Sequence, residues 1–152
     1  MKLLWLHDEA LGLLDEMALA QMDVQCFVWD SDYFAAQGWS FKRQVFLYES
    51  LVALPKRPEL KIVHGRPLMV LEALQAQSAT PLQITTFAAQ NPLLQQAIEQ
   101  VERAFEAFEC LPTPRLLSGE QQAAPKRFFH YWQLVEHQLT GRRSRQTRQR
   151  PR

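Results

Sequence analysis

Two short stretches carry the side chains of this sequence that could do chemistry. In "VQCFVWDSDYF" (24–34) an apolar run ends in Asp30 and Asp32, one residue apart; in "KLLWLHDE" (2–9) another ends in His7, Asp8 and Glu9. A D-x-D pair after an apolar strand suits an aspartyl nucleophile with a neighbouring acid/base, provided further acids on a later loop hold magnesium. No aspartate follows Asp32, so such a site would lack its later ligands. His130 and His137, seven residues apart on an expected helix, share a face but have only Glu136 between them, and read as solvated or partly packed. Cys26 and Cys110 form no C-x-x-C pair and lie in mostly apolar stretches, so they read as two buried free thiols. None of the five glycines is within three residues of another, and neither G-x-x-x-x-G-K-[ST] nor G-x-G-x-x-G occurs. "VHGRP" (63–67) reads as a turn.

The elements that would position these residues alternate between short apolar runs and helical stripes. Strands are expected at 2–6, 24–29, 60–64, 82–88 and 108–112. Helices are expected at 13–22, 41–54, 68–77 and 93–108, the second capped by Ser40 and the last opened by Asn91-Pro92. Residues 30–39 are expected to be a glycine-containing loop, with Asp32 a loop residue. Five strands alternating with four helices predict an α/β fold: a five-stranded, parallel, Rossmann-like sheet with helices on both faces, followed by a C-terminal helical segment at 126–139. Ligands of such sheets lie at the carboxyl ends of the strands, near the switch in strand order, and both acidic stretches fall at that edge.

Length and composition fit one domain of ordinary globular type, 152 residues with 47% apolar and 22% charged. No apolar stretch is as long as a membrane span, and Asp8 and Glu9 interrupt any signal-peptide core, so a cytoplasmic location is expected. The net charge of +1 hides an asymmetry. Six of the 17 basic residues are arginines in the last 11 positions, leaving a body of net −5. That tail, 141–152, has no apolar residue to bury and is expected to be disordered. Its Arg142, Arg143, Arg145 and Arg148 are candidate contacts to nucleic acid by charge.

One family matches in sequence as well as layout. "LLWLHDEALGLLDEMALA" resembles the opening of DNA photolyases and cryptochromes, with Trp5, Leu11, Leu13, Asp15, Ala18 and Leu19 in frame. "VQCFVWDSDYF" is similar to their second strand, and "KRQVFLYESLVAL" to their R-x-x-F-L-x-E-S-L helix through Arg43, Phe46, Leu47, Glu49, Ser50 and Leu51. "LKIVHGRPLMVLEAL" resembles their L-x-V-x-x-G-x-P segment, and "KRFFHYWQLVEHQL" (126–139) the K-x-F-T-P-F-W segment that follows the domain. The resemblance runs from about residue 3 to 139, so residues 1–140 are read as one photolyase/cryptochrome-like α/β domain and 141–152 as the tail.

That resemblance implies an antenna-type domain without the helical FAD domain that performs repair, hence one that does not catalyse repair alone. It implies a chromophore such as a deazaflavin, a flavin or a folate, and a separately encoded flavin domain as partner. Phe27, Asp30 and Arg43 match positions that line the deazaflavin pocket, and Trp5 and His7 at the end of the first strand complete the expected ligand-binding set. The sequence departs from the family where His7 and Gly12 replace arginines, where Ala88 and Gln90 replace acids, and where Leu93 falls near a folate-contacting glutamate. The aromatic segment at 126–139, uncovered by a helical domain, could drive homodimerisation. The alternative reading is a nucleic-acid or protein interaction module with a vestigial pocket and a basic tail.

Overall fold

A computed structural model of the chain describes residues 1–13, 19–54 and 58–113, together with Phe129 and Trp132. The chain divides into two compact units, Met1–Thr113 and Pro114–Arg152. In the second, Phe129 and Trp132 have helical backbone and exposed side chains. The rest of the expected 126–139 segment, His130 and His137, and the arginine tail lie outside the described residues.

The first unit is a five-stranded, all-parallel sheet: β1 (Lys2–Leu6), β2 (Val24–Trp29), β3 (Glu59–His64), β4 (Gln83–Phe87) and β5 (Phe108–Leu111). Their order is β3-β2-β1-β4-β5, so the chain winds outward one way from β1, then returns to β1's other side with β4. The order therefore switches between β1 and β4. Register places Trp5 opposite Cys26 and Leu6 opposite Phe27.

Side chains leave a strand on alternate faces, and both faces of this sheet are apolar. Leu3, Trp5, Val24, Cys26, Val28 and Ile84 form one core, against Val70 and Leu71 of α3 (Pro67–Gln77) and Leu94, Ile98 and Val101 of α4 (Pro92–Ala104). Leu4, Leu6, Phe27 and Phe87 form the other, with Leu47 and Leu51 of α2 (Phe41–Val52). Leu71 and Val101 have no exposed surface, and burial of such a side chain stabilises the fold by about 1.5–3 kcal/mol. The expected α/β architecture, with helices on both faces, is present.

Helix starts follow the capping residues. The Ser40 hydroxyl accepts from the Arg43 amide, and the Asn91 side chain accepts from the Leu93 amide at 2.9 Å with Pro92 in the first turn. Four sequence expectations need correction. Residues 31–36 are a short helix, α1 (Ser31–Ala36), so Asp32 lies in a helical first turn instead of a loop. The last helix ends at Ala104, because Phe105 takes extended backbone and leads into β5 while its ring still packs on the core. Cys110 is exposed, since β5 is a short edge strand, whereas Cys26 is buried. Half of the helix expected at 13–22, residues 14–18, falls outside the described residues; Leu11–Leu13 form one 3-10 turn, and residues 20–22 are turn and irregular backbone, so the expected helix does not extend to 22.

Candidate functional site

A cavity of about 320 Å³ opens at the carboxyl edge of the sheet. Trp5, Leu6, His7 and Asp8 line it from the end of β1, and Phe27, Val28 and Asp30 from the end of β2. Tyr33 and Phe34 contribute from α1, Arg66 and Pro67 from the start of α3, and Leu93, Leu94, Gln96 and Ala97 from the first turns of α4. Its position, beside the switch in strand order, is where open α/β sheets hold ligands. At the lower end of the roughly 300–1,000 Å³ range of small-molecule sites, it admits a single ring system but not an extended dinucleotide.

Most polar wall residues are held by the fold. His7 is 3% exposed, and its Nε2 lies 2.9 Å from the Phe87 carbonyl oxygen at the end of β4. The Tyr33 hydroxyl donates to both oxygens of Asp8, at 3.2 and 3.3 Å. Burial raises the Asp8 carboxyl above its ordinary value of 3.8, against the lowering effect of the Tyr33 hydrogen bond. Tyr33 is likewise raised, by burial first and by the Asp8 charge second. Glu9 reaches away from the cavity to accept from the Gln90 and Asn91 amides at 2.6 and 3.2 Å, tying the end of β1 to the start of α4.

The D-x-D pair has structural employment. Asp30 caps α1, its Oδ1 accepting from the Asp32 and Tyr33 amides at 3.0 and 3.1 Å. Asp32 accepts from the Arg66 guanidinium at 2.9 Å, joining α1 to α3 at the surface. Among the described residues no three His, Cys, Asp or Glu side chains come together as a metal site would need. The arrangement suits binding: aromatic and aliphatic walls, with a few fixed polar groups to orient a ligand.

Four of the five expected ligand-binding residues, Trp5, His7, Phe27 and Asp30, meet in this lining. Arg43 is not among the lining residues; its guanidinium lies 3.8 Å from the centroid of the Trp39 ring. Arg142, Arg143, Arg145 and Arg148 lie outside the described residues. Asp8 was expected at this edge as part of the acidic end of the first strand, though not as a ligand contact. Tyr33 and Arg66 were not anticipated, and nothing local in "VHGRP" marks Arg66 as reaching Asp32.

No protein-family model matches this chain, and no curated protein matches it. Among the described residues, no helix is long and apolar enough to cross a membrane.

Proposed function

We propose that this chain is a ligand-binding α/β domain related to the N-terminal domain of DNA photolyases and cryptochromes, holding one ring-shaped, antenna-type chromophore and not itself catalysing a reaction. The observation that carries this reading is the cavity at the carboxyl ends of β1 and β2, walled by Trp5, Phe27 and Phe34 and provided with His7 and Asp8 as polar contacts. The resemblance supplies the chromophore classes, a deazaflavin, flavin or folate, and a separately encoded flavin domain as a cytoplasmic partner. A carboxylate nucleophile is less well supported, because Asp30 and Asp32 already hold backbone amides and a guanidinium.

The test is absorbance of the purified chain, alone and titrated with riboflavin, beyond the band of its own tryptophans. One-to-one binding that shifts the ligand spectrum is expected. Ala97→Phe, which enlarges the α4 wall of the cavity, should weaken binding at least about tenfold. Absence of binding by any of the three chromophore classes, or unchanged binding by Ala97→Phe, would overturn the proposal.

A further inference from the structure

Away from the cavity, α2 carries an apolar line on its exposed side. Phe41, Val45, Tyr48 and Val52 are 80, 37, 52 and 55% exposed, and none packs in either core. Spacings of four, three and four residues set them in one row along the whole helix. The row runs about a third of a turn from Leu47 and Leu51, which hold α2 to the sheet. The Tyr48 ring stands edge-on to Trp29 of β2, with centroids 6.3 Å apart. About 400 Å² of apolar surface is open here, a size that commonly marks a contact site.

The spacings read the same from either end of the helix. Two copies of α2 laid antiparallel about a two-fold axis therefore set Phe41 of each against Val52 of the other, and Val45 against Tyr48.

The charges favour the same direction. Lys42 and Glu49, seven residues apart, flank the row on one side, and neither forms an ion pair among the described residues. Lys42 is in the first turn and Glu49 in the last, each at the end of the helix dipole that disfavours its charge. In an antiparallel pair each lies beside the opposite end of the neighbouring helix. Lys42 of one copy then comes beside Glu49 of the other, twice by symmetry.

We propose that this face of α2 is the interface of a homodimer in which two copies pack the helix antiparallel. The row removes about 800 Å² from water across two copies, and the stems of Lys42 and Glu49 bring the total to about 1,000 Å², the lower bound of specific interfaces. Association is accordingly weak and concentration-dependent, and it does not depend on what the cavity holds. Sedimentation velocity of the full chain from about 1 to 200 µM tests this, with reversible dimerisation expected inside that range. Phe41→Glu places an acid in the first turn, which spares the helix, and should weaken dimerisation at least about tenfold. Lys42→Glu and Glu49→Lys should each weaken it, and the double exchange should restore it. Phe46→Ser should leave it unchanged, although Phe46 is 70% exposed, because Phe46 lies on another side of α2. Should Phe41→Glu fail to fold, as judged by circular dichroism, the charge exchanges still decide. A monomer at every concentration, a dimer indifferent to Phe41→Glu, an equal loss in Phe46→Ser, or a double exchange no better than the single ones would overturn the proposal.

Discussion

Replacing Asp30 separates a structural aspartate from a chemical one. Its Oδ1 satisfies two amides of α1, at 3.0 and 3.1 Å, and the helix has only six residues. Loss of an N-cap costs about 1 kcal/mol, with a range of about 0.5–2. Here the upper half of that range applies, because fraying of α1 would also disturb two packed residues. Phe34 is 2% exposed and its ring centroid lies 5.1 Å from Trp29 and 4.9 Å from Trp39; Tyr33 holds Asp8. Asp30→Ala should therefore destabilise the fold by about 1–2 kcal/mol, a fall in Tm of about 4–8 °C for a domain of this size. Asp30→Asn, an equally good cap, should stay within about 0.5 kcal/mol of the natural chain. Thermal and urea unfolding followed by far-ultraviolet circular dichroism measure both. Equal destabilisation by Asn and Ala would refute the capping argument, as would an unaffected Ala variant.

Three further outcomes follow from the same geometry. Because burial raises the folded-state Asp8 carboxyl above 3.8, the native state keeps that proton to higher pH than the unfolded chain, and stability falls as pH rises through this window. Asp8→Asn should gain stability relative to the natural chain as pH increases from about 4; urea midpoints across a pH series that run parallel would contradict this. Gly65 has φ of 142°, and a Cβ there would stand 2.9 Å from Val70 Cγ2, so Gly65→Ala should cost at least about 1 kcal/mol in chemical denaturation. Deleting 141–152 should remove salt-dependent binding to nucleic acid while leaving flavin binding unchanged, and an unaltered salt slope would dismiss the tail as a nucleic-acid contact.

Most of the fold was legible because its signals are local. The bounds expected for "KLLWL" and "VQCFVW" coincide with β1 and β2, and Ser40 and Asn91-Pro92 mark helix starts that the structure contains. Helix α1 was missed because six residues are too few to show a helical period; Asp30 before the turn was its one signal, and it also looked like chemistry. The stripe that carried the last helix past Ala104 was misleading because Phe105 and Phe108 pack on the same core after the backbone has become extended. At the site, strand-end residues were found because parallel topology fixes where such ends lie. Asp8 with Tyr33, and Arg66 with Asp32, depend on contacts 25 and 34 residues apart, which no local pattern encodes. Arg43 matched by position in the sequence, but its guanidinium packs on Trp39.

The central claim is that the carboxyl edge beside β1 and β2 holds a ring ligand. Amide chemical-shift mapping of the isotope-labelled chain during titration with riboflavin tests it most directly. Shifts should concentrate at Leu6–Asp8, Val28–Phe34 and Leu93–Ala97 and saturate together. Shifts gathered instead at the opposite end of the sheet, around Gln75, Leu82 and Phe105, or none at saturating ligand, would contradict the account.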